Sequence, residues 1–225
     1  KIEKILHLDS INEYIRPKYK VGVFDINTYA YKYHKKNLTR YTINPDLKEC
    51  FKLINTKEGN DILNNLYFQP KLVSNPMKFL NEKKNYFDIS QLQIVHLRVE
   101  DDAILHWSNP NKMKRGEFFH KLCEKYIHLI EKHINKEYPI LFLTGNIDNP
   151  VINYVKEHKY KYLYFTKTSQ FREINAIMDL ILGKMCANVF IGAGGSTFSD
   201  MIHTSFKFED RVKSYFVNLD NIISE

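Results

Sequence analysis

A glycine-rich stretch followed by hydroxyl residues carries the strongest chemical signal in the sequence. Residues 188–203 read Asn-Val-Phe-Ile-Gly-Ala-Gly-Gly-Ser-Thr-Phe-Ser-Asp-Met-Ile-His. The pattern predicts a short buried strand, a turn carrying Gly192, Gly194 and Gly195 that lets the backbone approach a ligand, and a helix. The helix should begin at Ser196 or Thr197, whose hydroxyl would cap it by accepting a backbone N–H. The unpaired first-turn amides then suit a phosphate, whereas the alternative interpretation is a turn with no ligand.

A histidine, an arginine and three acidic residues lie at the end of a second predicted strand. They are His96, Arg98, Glu100, Asp101 and Asp102. Strand alternation puts His96 and Arg98 on one face, where the arginine could hold a diphosphate bidentately. The carboxylates after it would orient the guanidinium or receive a proton from an acceptor. The alternative interpretation is a surface ion-pair cluster.

One acidic residue, Asp179, stands in an otherwise apolar helical segment. A carboxylate in such a position costs desolvation unless it has a partner. It could accept hydrogen bonds from the N1–H and the exocyclic amine of guanine, a donor pair that uracil does not offer. The alternative interpretation puts Asp179 on the exposed edge of the helix, paired with Lys184 or Arg172.

No metal site is predicted. His120, Glu124 and His128 share one helix face, but their charged neighbours indicate a solvated surface. Asp101 and Asp102 are adjacent and would point apart on an extended chain, and no Walker sequence is present.

The composition is that of a globular protein with room for one domain plus a smaller part. The chain has 225 residues and a net charge of +7, but its basic residues are spread out, which disfavours a nucleic-acid partner. No apolar run is long enough to cross a bilayer. Cys50, Cys123 and Cys186 are too widely spaced for a disulfide framework or a zinc site, so reduced thiols are expected. These features favour a cytoplasmic location, or the secretory-pathway lumen if the chain is an excised domain.

Strand and helix patterns alternate from about residue 90 onward, which predicts βαβ units and a parallel, Rossmann-like sheet. The predicted strands are Leu92–Arg98, Pro139–Thr144, Tyr160–Phe165, Val189–Ile191 and Tyr215–Leu219, and the predicted helices are Gly116–Asn135, a segment after Pro150, and Arg172–Cys186. Residues 1–89 form a smaller α-rich or mixed part, with helical patterns over 45–67 interrupted near Gly59 and a short helix opened by Pro76. The expected class is therefore α/β, with domains 1–89 and 90–225.

Three segments in series resemble the GDP-fucose protein O-fucosyltransferase family and its O-fucosyltransferase-like relatives. They are residues 95–102, 172–179 and 189–199, and the resemblance covers about residues 90–205. It implies the donor-binding half of a GT-B fold, preceded here by a reduced acceptor-side or accessory region. It also implies inverting transfer of L-fucose from the donor substrate GDP-fucose to a hydroxyl, without an essential metal or other cofactor.

The same resemblance assigns roles to particular residues. His96 and Arg98 match a His-x-Arg motif whose arginine grips the diphosphate and helps the leaving group depart. Asp179 matches the acid that reads guanine. The motif that holds the phosphates and packs by the nucleotide is matched by Ser196, Thr197 and Phe198.

The sequence departs from the family pattern in two places. Thr144-Gly145 stands where the family often has Thr-Asp, and the glycine-rich loop and asparagine of the family's acceptor side are matched only weakly by Gly22 and Asn27. The general base is therefore unassigned, with Glu100, Asp101 and Asp102 as candidates on chemistry alone.

The expected function is a glycosyltransferase that binds a nucleotide sugar and a glycan or protein acceptor. The alternatives are a related transferase that uses another donor, such as UDP-rhamnose, and a catalytically inactive module that binds a nucleotide sugar or a partner.

Overall fold

A computed structural model describes residues 56–167, 169 and 171–223, together with Ser10 and Glu13. Residues 45–55 of the helical pattern over 45–67, together with Gly22, Asn27 and Cys50, lie outside the described residues. The chain divides into two compact units, residues 1–74 and 75–225. The sequence-based domain boundary at residue 90 stays a prediction.

The described chain alternates helices and strands along most of its length. The helices are α1 (Lys57–Asn64), α2 (Pro70–Lys83), α3 (Asp101–Ser108), α4 (Arg115–His133), α5 (Pro150–Glu157), α6 (Arg172–Gly183) and α7 (Thr197–Thr204). The strands are β1 (Gln93–His96), β2 (Ile140–Leu143), β3 (Tyr162–Tyr164), β4 (Val189–Gly194) and β5 (Lys213–Asn218), and a 3-10 turn (Ile89–Gln91) precedes β1.

The five strands form one parallel sheet in the order β3-β2-β1-β4-β5. The chain winds outward from β1 through β2 to β3, and then crosses back to place β4 on the other side of β1. In open α/β sheets, the crevice at the carboxyl ends of the strands where the winding reverses is the usual ligand site. The predicted α/β class with a Rossmann-like parallel sheet is confirmed, and the reversal lies between β1 and β4.

Helix α4 covers one face of the sheet because its apolar residues recur every four positions. Phe118, Leu122, Tyr126 and Ile130 are fully buried in the main core. Burial of each large side chain contributes about 1.5–3 kcal/mol. The Tyr126 hydroxyl also donates to the carbonyl of His96 at 2.9 Å, which ties α4 to the end of β1.

Several local predictions are corrected by the structure. Helix α3 begins at Asp101, directly after the β1 segment, so Asp101 and Asp102 occupy a first helical turn rather than an extended chain. Acidic residues are stabilised there by the helix dipole. Pro76 lies inside α2, and Pro70 opens that helix because a first-turn residue needs no N–H. Helix α1 runs through Gly59 without interruption.

Strand β4 is longer than predicted and ends at Gly194. It pairs with β5 along its whole length, up to Gly194 opposite Asn218. Gly192 and Gly194 therefore belong to the strand, and only Gly195 makes the turn.

Two cysteine thiols are buried and free, as expected. Burial raises the pKa of both Cys123 and Cys186 to about 12. Within the described ranges, no helix combines the length and apolar character needed to cross a membrane.

Candidate functional site

An open cleft of about 790 Å³ lies at the carboxyl ends of β1 and β4, where the winding of the sheet reverses. We call it the β1/β4 cleft. Its lining includes every site residue predicted from the sequence except Gly194 and Asp101: His96, Arg98, Glu100, Asp102, Asp179, Gly195, Ser196, Thr197 and Phe198. A Cβ at Gly194 would lie 3.2 Å from the Val217 carbonyl oxygen. The glycine at this position therefore lets β5 pack closely against β4.

The start of helix α7 presents unpaired donors to the cleft. Gly195 turns the chain with a φ of +86°, and Ser196 is the N-cap residue. The first helical hydrogen bond is donated by the Asp200 N–H to the Ser196 carbonyl at 3.1 Å. Among the described residues, the N–H groups of 197–199 therefore have no acceptor, as expected for a helix start.

The Ser196 hydroxyl does not cap the helix, contrary to the sequence-based expectation. Ser196 is only 5% exposed, lines the cleft, and makes no side-chain hydrogen bond within the described part of the chain. A buried hydroxyl without a partner carries a free-energy cost that a bound ligand oxygen could remove.

The Arg98 guanidinium is held by two carboxylates. Its Nη1 donates to Glu100 Oε2 at 2.8 Å, and its Nη2 donates to Asp102 Oδ2 at 3.0 Å. Trp107 lies on another side, with its ring centre 6.0 Å from the guanidinium carbon. The hydrogen bond from Arg98 and a further one from Arg172 lower the pKa of Asp102 to about 2. Whether either carboxylate also accepts a proton from substrate stays a prediction.

Gly145 explains how Glu100 reaches this position. Its N–H donates to Glu100 Oε1 at 2.8 Å, and a Cβ at residue 145 would lie 3.1 Å from the same oxygen. An aspartate at 145 would crowd the Glu100 carboxylate and repel it. The glycine that stands in place of the aspartate of the Thr-Asp pattern is therefore what allows Glu100 to occupy this position.

His96 is buried and neutral at the floor of the cleft. Burial, followed by the positive charges of Arg98 and Lys167, lowers its pKa to about 3. Its Nδ1 lies 2.7 Å from Ser199 Oγ, and its ring packs 5.0 Å from that of Phe198. The neighbouring Val95 and Leu97 point into the core on the opposite face, as strand alternation predicts.

Asp179 is also buried, at 7% exposed, and its partner is Lys167. The Lys167 ammonium lies 2.6 Å from Asp179 Oδ2 and donates to the Thr144 carbonyl at 2.9 Å. Burial raises the pKa of Asp179, although Lys167 opposes this shift. The alternative interpretation, an exposed Asp179 paired with Lys184 or Arg172, is wrong.

Sequence reasoning missed several side chains of the cleft, among them Lys167, Arg172 and Trp107. Lys167 follows the end of β3, so the rule that ligands bind beyond the carboxyl ends of strands could have found it. Trp107 lies on α3, a helix that the sequence pattern did not reveal. Arg172 was considered only as a partner for Asp179, whereas it donates to Asp102 at 2.8 Å.

His120, Glu124 and His128 are exposed on helix α4, which agrees with the predicted solvated surface. In the part of the chain that the structure describes, no group of three or more His, Cys, Asp or Glu side chains is arranged to hold a metal ion.

No protein-family model and no curated protein matches this sequence. The fold is similar to crystal structures of POFUT1. The complex with GDP-fucose has a TM-score of 0.47 at 12% identity, covering 72% of this chain and 49% of that chain. The complex with GDP has a TM-score of 0.47 at 13% identity, covering 72% and 52%. The chain thus spans about half the length of the structures it matches, and at these identities the likeness is one of fold.

Proposed function

We propose that the β1/β4 cleft binds a nucleoside diphosphate sugar and that the protein is a glycosyltransferase. One observation carries the proposal. The Arg98 guanidinium, the unpaired amides of 197–199 and the buried, unpartnered hydroxyl of Ser196 lie at a single cleft at the reversal of the sheet. Of these amides, those of 197 and 198 belong to residues that line the cleft. Together with Arg98 and Ser196 they are the donors that a diphosphate requires.

The same donors suit the departure of a nucleoside diphosphate. Negative charge develops on the leaving diphosphate as the bond to the sugar breaks, and preorganised donors stabilise it. Arg98 is already held in place by Glu100 and Asp102, so little reorganisation accompanies binding. The guanidinium has five N–H donors, so it can keep part of these contacts while it binds a phosphate oxygen.

The base is assigned to the Lys167–Asp179 pair. Asp179 would accept from the N1–H and the exocyclic amine of guanine, as the motif resemblance implies. Lys167 adds a donor beside it, which complements the O6 acceptor of guanine. A guanine nucleotide satisfies this arrangement with two donors and one acceptor.

The donor sugar proposed is L-fucose, on the strength of the three motifs in series. The reaction would then be an inverting transfer from GDP-fucose to a hydroxyl of a glycan or protein, without a metal. Glu100 and Asp102 are the candidates for the proton acceptor, and the contacts in the structure also give both of them a holding role on Arg98.

A second candidate is a nucleotide-sugar-binding module without turnover. Each carboxylate that lines the described part of the cleft is ion-paired: Glu100 with Arg98, Asp102 with Arg98 and Arg172, and Asp179 with Lys167. A general base needs an accessible lone pair on a group that is not already neutralised. This observation favours binding over catalysis.

The test is calorimetric titration of the protein with GDP and with UDP. GDP should bind selectively, and Arg98→Ala should weaken GDP binding about a hundredfold because charged hydrogen bonds are lost. Asp179→Asn should weaken GDP binding about tenfold and leave UDP binding nearly unchanged. The control is Arg115→Ala, which removes an exposed arginine at the start of α4.

Equal affinity for GDP and UDP would contradict the guanine assignment, and a preference for UDP would favour another donor such as UDP-rhamnose. Unchanged affinity in Arg98→Ala would remove Arg98 from the site. Release of GDP from GDP-fucose in the presence of candidate acceptors then separates a transferase from a module that only binds.

A further inference from the structure

Ser199 is a fully buried hydroxyl residue on α7, positioned between the ends of β4 and β1. Its Oγ lies 2.8 Å from the Ala193 amide nitrogen and 2.7 Å from His96 Nδ1. Buried hydroxyl groups in proteins are satisfied both as donors and as acceptors. If Ser199 Oγ accepts a hydrogen in one of these two contacts, it must therefore donate its own hydrogen in the other.

The Ala193 N–H can only donate, so Ser199 Oγ accepts that hydrogen bond. The hydroxyl hydrogen must then be donated elsewhere, and among the described residues the acceptor within reach is His96 Nδ1. If Nδ1 accepts a hydrogen bond, a neutral imidazole carries its proton on Nε2. The opposite tautomer would leave the serine hydrogen buried without an acceptor.

The surroundings of the ring keep the imidazole neutral. His96 is buried, and the positive charges of Arg98 and Lys167 both oppose protonation. The ring lines the cleft, and Nε2 has no hydrogen-bond partner within the described part of the chain. A buried Nε2–H without a partner calls for an acceptor from a ligand.

We propose that Ser199 is a positioning residue that sets His96 as the neutral Nε2–H tautomer, so that the cleft presents an imidazole N–H donor to a ligand oxygen. The identity of that oxygen, a diphosphate oxygen of the donor, rests on the proposed function. In this role His96 donates a hydrogen bond from Nε2 and does not act as the general base.

The tautomer is measured directly by long-range ¹H–¹⁵N NMR of the histidine rings in the ligand-free protein at neutral pH. His96→Gln assigns the signals of His96. The expected result is a nonprotonated Nδ1 and a protonated Nε2. A protonated Nδ1 with a nonprotonated Nε2, or an imidazolium, would overturn the proposal.

The dependence on Ser199 is tested with Ser199→Ala. We expect the His96 signals to move toward a mixture of tautomers, and GDP affinity to fall about tenfold because one donor is no longer directed to the ligand. The matched control is Ser205→Ala, which removes a buried hydroxyl from the other end of α7, where it donates to the Ile202 carbonyl at 2.6 Å. This control should keep both the tautomer and the affinity.

The two proposals fail in different ways. An Nε2–H tautomer in a protein that does not bind GDP would refute the proposed function and leave the assignment of Ser199 intact. Selective GDP binding with an unchanged tautomer in Ser199→Ala would refute the role of Ser199 and leave the proposed function standing.

Discussion

Arg98 shows how a single residue in the cleft is prepared for an anion. Its contact with Glu100 is the more protected one, with side chains 19% and 24% exposed, whereas Asp102 is 48% exposed and its partner Arg172 is 73% exposed. Exposed ion pairs contribute about 0–1 kcal/mol, and hydrogen bonds to partly buried charges about 1.5–3 kcal/mol. Glu100, itself held by Gly145, is therefore the more protected of the two carboxylates on Arg98, and the contact between Arg172 and Asp102 is the one that a phosphate could more easily displace.

His96 makes stability depend on pH. Burial and the charges of Arg98 and Lys167 lower its pKa from 6.5 to about 3. Between these values the unfolded state binds more protons, so stability present above pH 6.5 is lost as the pH falls. Because of this residue, we expect the free energy of unfolding to fall by about 2 kcal/mol as the pH is lowered from about 7 to about 5.

The measurement is urea denaturation at both pH values, comparing wild type with His96→Gln. The difference in unfolding free energy between the two pH values should be smaller in His96→Gln than in wild type. It should be unchanged in His120→Gln, a control at an exposed position on α4. Burial also lowers the pKa of His133 and His203, so part of the pH effect should remain in every variant. An identical pH response in His96→Gln and wild type would contradict a buried neutral His96.

At the scale of elements, the β4–α7 junction builds the anion site. Strand β4 delivers the chain to the carboxyl edge of the sheet, and Gly195 turns it so that the first amides of α7 face the cleft. The close packing of the neighbouring helix α6 depends on Gly183, where a Cβ would lie 2.8 Å from Ile202 of α7. The position of the helix start is thus set on two sides, by the strand and by α6.

Gly195→Ala should lower the free energy of unfolding by about 1–2 kcal/mol and also weaken GDP binding. Residue 195 has a φ of +86°, and a new Cβ would lie 3.1 Å from Asp220 Oδ2. The control is Gly116→Ala in the first turn of α4, where a Cβ meets nothing within 4 Å.

Gly116→Ala should stabilise the protein by about 0.5 kcal/mol because alanine loses less entropy in a helix. Chemical denaturation and GDP titration of both variants provide the measurement. If Gly195→Ala is as stable as Gly116→Ala and binds GDP normally, the turn does not position the amides.

At the scale of the whole molecule, the net charge of +7 does not describe the cleft. The cations Arg98, Lys167 and Arg172 face the acids Glu100, Asp102 and Asp179 there. Attraction of a diphosphate must therefore come from local donors, namely the unpaired amides and dipole of α7 and the remaining N–H donors of the Arg98 guanidinium.

This arrangement predicts that GDP binding does not need a divalent metal. Affinity measured in a chelating buffer should agree with affinity in excess Mg²⁺ within about twofold, because the donors of the chain compensate the phosphate charge. Titration in both buffers, with Arg98→Ala alongside, makes the measurement. A loss of about tenfold or more on chelation would show that a metal ion shares the site.

The alternation of strands and helices, and nine residues of the cleft, followed from local information. Alternating apolar strands and amphipathic helices predict a parallel sheet, and the glycine turn before Ser196 predicts a helix start at its edge. Both patterns are periodic and short-range, so they are visible in the sequence. Helix α3 was not visible, because the charged run from Glu100 to Asp102 reads equally well as an extended loop.

The partners of these residues were decided only by the tertiary structure. Lys167 meets Asp179 because the segment after β3 passes along α6, and Ser199 meets His96 because α7 packs against the end of β1. Each pair joins residues that are distant in sequence, and neither pair has a local pattern. The sequence therefore determined which groups could bind a phosphate. The packing of the sheet and helices decided which of them are neutral, paired or free to donate.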